Sequence, residues 1–118
     1  MLRSFRIATY NIHKGRGIDG RVRIERIVRV LREIDADIVA LQEVINRHDR
    51  SQEEDQAGYL ANALGYAFTV GETRNHRLGV MANVTLSRWP IESSRQIDLS
   101  VPGRQPRGAL RTDIRVRD

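Results

Sequence analysis

With 118 residues, 40% hydrophobic and 30% charged, the chain fits one small soluble domain or a piece of one, and its composition excludes a disordered chain. No apolar run approaches the roughly 20 residues of a bilayer span, and the first ten residues lack a secretory-type apolar stretch, so a cytoplasmic protein without a transmembrane segment is expected. With no cysteine, any metal must sit on oxygen or nitrogen, and a net charge of +5 carried by arginine, with Lys14 the single lysine, points to phosphate-bearing partners or to ordinary arginine-rich surface.

Phe5 to Tyr10 is short, aromatic and β-branched, and reads as a strand running into a polar stretch, Asn11 to Gly20, with three glycines. From Arg21 to Ile34 the apolar residues Ile24, Ile27, Val28, Leu31 and Ile34 fall on one helical face, with Asp19 as the expected N-cap and a stop near Asp35. Ile38 to Leu41 is a continuous apolar run of strand length, which completes a β-α-β unit with parallel strands. After a charged loop, Asn46 to Gln56, a second helix from about Gln52 to Leu64 presents Ala57, Leu60, Ala61 and Leu64 inward and stops at Gly65. Three more strands are expected at Tyr66 to Val70, Val80 to Leu86 and Ala109 to Val116, paired antiparallel. Between the last two, Ser87 to Gly108 holds all three prolines and is expected to lack a regular element. There is no internal repeat or low-complexity tract.

Parallel strands of an open α/β sheet deliver their carboxyl ends to one edge, where such sheets bind ligands. That edge receives Asn11 from the first strand and Glu43 from the second. An amide oxygen beside a carboxylate is a hard oxygen site suited to Mg²⁺, although a glutamate after a buried strand also serves as a plain loop ion-pair partner. His13 follows Asn11 by two residues and, in extended chain, points the same way. Its alternative is a solvated loop histidine, the expectation also for His48 and His76. Lys14, Gly15, Arg16 and Gly17 form a candidate flexible loop facing phosphate.

Four segments carry a resemblance over essentially the whole chain: IATYNIHKG (Ile7 to Gly15), DADIVALQEV (Asp35 to Val44), NVTLSRWPI (Asn83 to Ile91) and PRGALRTDI (Pro106 to Ile114). In wording, order and spacing they resemble the endonuclease/exonuclease/phosphatase superfamily, DADIVALQEV being the most specific. The resemblance implies Glu43 as the Mg²⁺ ligand, with Mn²⁺ a possible substitute, and Asn11 beside it at the metal site, orienting the scissile phosphate or a metal-bound water. Arg107 matches an arginine near the substrate phosphate, with an electrostatic role. His13 is placed to contact phosphate or metal-bound water, where some relatives carry an acid. Asn83 matches an asparagine near the substrate, but Met81 and Ala82 depart from the aromatic-glycine pair that usually precedes it, and an inward amide satisfied by backbone is the alternative.

The family's Thr-His-Leu-like strand, Gly-Asp-x-Asn element and Ser-Asp-His-like terminus have no counterpart in these residues. Residues 1–118 are therefore expected to be the N-terminal portion of one domain: half of a DNase I-like four-layer α/β sandwich, one mixed sheet with helices on one face. The implied function is Mg²⁺-dependent hydrolysis of a phosphodiester or phosphomonoester, nucleic acid favoured as substrate, inactive or weak in this half. The alternatives are a non-catalytic phosphate- or nucleic-acid-binding module and a truncated fragment. An uncovered apolar sheet face would favour a homodimer that imitates the two-sheet sandwich. Trp89 is expected beside Pro90 rather than on a base-stacking platform.

Overall fold

A computed structural model describes residues 3–46, 55–77 and 79–117. The elements are β1 (Ile7–Asn11), a 3₁₀ turn (His13–Gly15), α1 (Ile24–Ile34), β2 (Ile38–Asn46), α2 (Gln56–Leu64), β3 (Ala67–His76), β4 (Gly79–Ser87), β5 (Ile91–Asp98) and β6 (Gly108–Ile114). Four strands make one mixed sheet in the order β1-β2-β4-β3. β1 and β2 are parallel, from Ile7 opposite Ile38 to Asn11 opposite Gln42, and the other pairs are antiparallel.

Both helices lie on one face of this sheet. Ile24, Ile27, Val28 and Leu31 of α1 and Ala57, Leu60 and Ala61 of α2 pack with Val39, Leu41, Val44, Val84 and Leu86 in one buried cluster. The helical spacing and the apolar run of β2 thus converge on the same core, whose burial supplies the main driving force for folding. The chain leaves α1 through Asp35 and α2 through Gly65, both in the left-handed conformation that ends a helix.

Several expectations are corrected. Helix α1 starts at Ile24 rather than Arg21, and its N-cap is Arg23. Asp19 lies farther back, where its carboxylate accepts the Arg21 N–H at 2.9 Å and clasps the Arg26 guanidinium. Residues 52–54 of the expected second helix, and most of the charged loop before it, fall outside the described residues, as does His48. The segment between β4 and β6 contains a strand after all: Pro90 sits just before β5, and Pro102 and Pro106 lie in the loop after it, so the prolines bracket the strand instead of interrupting it.

β6 pairs antiparallel with β5 in a separate two-stranded ladder, not with β3 or β4. That ladder lies against the sheet face opposite the helices. Thr69 bonds Ser94 at 2.7 Å, Thr85 bonds Thr112 at 2.9 Å, and Gly71 lies close under Leu110, whose Cδ1 would stand 3.2 Å from a Cβ there. The face expected to lack a partner is therefore covered over β3 and β4. Over β1 and β2 it presents Ile7, Thr9 and Asn11, all exposed. Trp89 meets Phe5 edge-to-face at 6.3 Å, and its indole N–H donates to the Arg117 carbonyl.

Candidate active site

The carboxyl ends of β1 and β2 open into a cleft of about 470 Å³, within the usual size of a small-molecule site. Its lining includes Asn11, Gln42, Glu43, Thr73, Arg74, Asn83, Gln105 and Arg107. Asn11, Glu43, Asn83 and Arg107, separated by up to 96 positions in the sequence, thus share one concavity.

Two irregularities in the ladder shape it. Leu41 faces Val84 and Val44 faces Ala82, so three steps along β2 match two along β4, and both Gln42 and Glu43 stand opposite Asn83. Strict alternation would send Glu43 to the helix-covered face, where Leu41 and Val84 lie buried. The bulge, with Glu43 at φ 55°, turns its carboxylate into the cleft instead. On the other side of β4, Glu72 faces Ala82 and Arg74 faces Met81, which leaves Thr73 as a second extra residue. The Thr73 hydroxyl donates to the Met81 carbonyl at 3.0 Å, and Arg74 reaches Gln105 across the cleft mouth.

His13 does not continue the strand as expected. It enters the 3₁₀ turn at φ 52°, followed by Lys14 at φ 59° and Gly15 at φ 77°. A non-glycine residue in this region costs about 1–3 kcal/mol, which the surroundings must offset. The turn is held on both sides: the Asn11 Oδ1 accepts the His13 N–H at 2.9 Å, and the Ile12 N–H donates to the Gln42 carbonyl at 3.1 Å. Farther along, Arg16 bridges Val22 and the Gly17 N–H donates to the Arg21 carbonyl, so the expected flexible loop is an ordered turn. Because of its fold-back, the His13 Nδ1 lies 3.9 Å from one oxygen of Glu43, and the Lys14 Nζ lies 3.9 Å from the other.

Asn83 lines the cleft and also donates to the Gly108 carbonyl at 3.0 Å, so its amide is satisfied by backbone while it fixes the residue after Arg107. The Arg107 backbone is pinned as well, its carbonyl accepting the Leu99 N–H and its N–H donating to the Ser100 hydroxyl. His76 is half-buried at the end of β3, and its pKa is lowered, first by burial and then by the nearby cations Lys14, Arg77, Arg74 and Arg16. Sequence reasoning missed Gln56, a buried residue at the start of α2 whose amide bonds both the turn and the end of β2. No periodic or compositional signal marks such a side-chain-to-backbone bridge.

The donor set suits a hard divalent cation. Glu43 supplies carboxylate oxygens, and the Asn11 Oδ1 keeps a second lone pair beyond the one given to His13. Among the described residues no three His, Cys, Asp or Glu side chains cluster as a metal cage, so water and substrate oxygens would complete the shell, the common arrangement for Mg²⁺.

A β-α-β edge thus brings a carboxylate, an amide and an arginine with a pinned backbone around one cleft. The profile of the Endonuclease/Exonuclease/phosphatase family matches residues 8–114, and the chain belongs to that family. YbhP of Escherichia coli K12 and YbhP of Shigella flexneri are each 33% identical over 115 residues, 91% of this chain and 46% of theirs. The chain therefore spans about half the length of the curated relatives it matches. Among solved structures, the endonuclease/exonuclease/phosphatase from Beutenbergia cavernae DSM 12333 is 28% identical with a TM-score of 0.75, over 95% of this chain and 34% of that one. The family protein from Leptotrichia buccalis C-1013-b is 18% identical with a TM-score of 0.72, over 96% and 49%. The mannosyl-6-phosphatase Bt3783 of Bacteroides thetaiotaomicron VPI-5482 is 19% identical with a TM-score of 0.58, over 87% and 38%, and with the Leptotrichia protein speaks to fold alone. The mixed sheet with its helices on one face is thus part of a DNase I-like fold. No helix among the described residues is long and apolar enough to cross a membrane.

Proposed function

We propose that the cleft is the metal side of a Mg²⁺-dependent phosphoesterase, with Glu43 holding the ion and Asn11 and Arg107 positioning the phosphate. When bound, the ion supplies Lewis-acid polarisation of a phosphoryl oxygen, and Mn²⁺ would substitute for it. The Asn11 side chain offers its free lone pair to the metal shell and two N–H donors to phosphate or water. Arg107 forks onto non-bridging oxygens and offsets the charge that builds there. His13 stands beside Glu43 at the cleft edge, within range of a metal-bound water or phosphate. Asn83 acts by holding Gly108, and through it Arg107, against β4. The observation that carries this reading is the convergence of Asn11, Glu43, Asn83 and Arg107 in one cleft.

The 118 residues are proposed to be the N-terminal portion of one such domain in the cytoplasm, weak or inert alone because, among the described residues, Glu43 is the one acid lining the cleft. Nucleic acid is the favoured substrate, since Arg74, Arg104 and Arg107 lie along the cleft and the neighbouring groove. Self-association through the open face of β1 and β2 belongs to the same proposal, supported by Ile7 at 61% and Phe5 at 52% exposure. Light scattering at micromolar concentration tests it, and a clean monomer counts against it.

A second reading, phosphate binding without turnover, draws on Lys14 and His13 flanking the Glu43 carboxylate. Hydrolysis of a generic phosphodiester with Mg²⁺ separates the two. Slow turnover that disappears with chelator and in Glu43→Ala is the expected result. Equal inertness of both proteins, with nucleotide or DNA still bound, favours the binding module.

A further inference from the structure

The two strained pieces of the cleft, the His13–Gly15 turn and the Glu43 bulge, sit on different elements, and what joins them is not a ladder. As far as Ile12, β1 and β2 are tied by backbone, the last tie running from the Ile12 N–H to the Gln42 carbonyl, just before Glu43. Beyond that point the chain turns away, and the Ile45 N–H, just after the bulge, has no strand carbonyl from the β1 side to meet. The Gln56 side chain takes that place. Its Oε1 accepts the Ile45 N–H at 2.9 Å and its Nε2 donates to the Lys14 carbonyl at 2.8 Å, so one amide acts as a peptide group inserted between turn and strand. Gln56 is 5% exposed, and a Cβ at Gly15 would come within 3.0 Å of its nitrogen, so the amide is closely fitted against the turn.

We propose that Gln56 is the positioning residue of the cleft: with the Ile12–Gln42 bond it brackets Glu43, and it holds the carboxylate and its flanking His13 and Lys14 in one arrangement. The chemistry is specific to this side chain. A glutamate accepts from Ile45 but sets a negative oxygen against the Lys14 carbonyl. A methionine fills the space but makes neither bond.

The metal arm of the test rests on the phosphoesterase reading, and the exchange arm does not. Backbone amides are followed by NMR in wild type, Gln56→Glu and Gln56→Met, at a temperature where all three are folded, first for hydrogen exchange and then during titration with Mg²⁺. Gln56→Met is expected to lose protection at Ile45 and Gln56→Glu to keep it, while both shift His13, Lys14 and Glu43, leave the α1 and β4 amides in place, and bind Mg²⁺ about 10- to 100-fold more weakly. Wild-type protection at Ile45 in Gln56→Met, wild-type shifts at His13, Lys14 and Glu43 in both variants, or undiminished Mg²⁺ affinity, overturns the proposal. A wild-type protein with no Glu43-dependent response to Mg²⁺ defeats the metal reading, and the exchange and shift pattern then decides the role of Gln56 by itself.

Discussion

The two ends of the central sheet are built on opposite plans. At the amino-terminal ends of β1 and β2 the polar groups are engaged: Arg88 bonds both Asp35 and Asp37, Arg6 donates its backbone N–H to Asp37 at 2.7 Å and its guanidinium to the carbonyls of Ile34 and Asp35, and the Tyr66 hydroxyl donates to the Ala36 carbonyl at 2.6 Å. At the carboxyl-terminal ends the ladder is interrupted on both sides of β4, and three of the chain's four described non-glycine residues at positive φ gather there: His13, Lys14 and Glu43. Matched charges at one end anchor the sheet, while strain and an open carboxylate at the other leave capacity for a ligand. Two aspartates held by arginine are a poorer metal site than one glutamate at a cleft, although a count of acids favours the aspartates.

Substitutions sharpen this contrast. The largest effect is expected from Glu43→Ala, which should lower Mg²⁺ affinity about 100-fold by calorimetry while leaving the melting temperature unchanged. Glu43→Gly should lose the metal equally and melt no lower than wild type, because relief of the left-handed strain, about 1–2 kcal/mol, offsets the roughly 0.5–1 kcal/mol entropic penalty of glycine. Next, Arg107→Ala should weaken binding of inorganic phosphate or a short oligonucleotide about tenfold, with metal affinity preserved. At the other end the pattern reverses. Arg88→Ala should cost a few degrees of melting temperature, modest because its side chain is 43% exposed, and leave the cleft's Mg²⁺ affinity intact.

The smallest effect is acid sensitivity. Hydrogen bonds from Arg26 and from the Arg21 N–H lower the Asp19 pKa to about 2, and the Arg6 N–H, ahead of Arg88, lowers that of Asp37. A carboxylate whose pKa falls on folding contributes stability that is present above its unfolded value and lost as pH drops through the folded one. Thermal melts should therefore decline slightly below about pH 6.5, where the lowered His76 pKa leaves the unfolded chain binding more protons, and fall more steeply from about pH 4 toward pH 2, with Arg88→Ala removing part of the lower slope.

Much of the frame was legible beforehand. Ile24, Ile27, Val28 and Leu31 announced α1 by spacing, and the run from Ile38 announced β2, because burial of a face imposes periodicity that the chain cannot hide. The position of Asn11 and Glu43 at adjacent strand ends followed from the β-α-β rule. What stayed hidden has no local signature. Ile91–Asp98 alternates little, with most side chains exposed, and its flanking prolines disguised it as loop. The bulges at Glu43 and Thr73 are properties of pairing with β4, so neither strand alone reveals them. The ties made by Gln56 and Asn83 join side chains to distant backbone, and a linear pattern carries no trace of either.

Mn²⁺ titration with paramagnetic broadening of backbone amides compares the two ends in a single experiment. Broadening that begins at Asn11, Gln42 and Glu43, spreads to Asn83 and Gly108, and vanishes in Glu43→Ala is the expected result. Broadening led by Asp35 and Asp37, or unchanged by loss of Glu43, would contradict the cleft as the metal site.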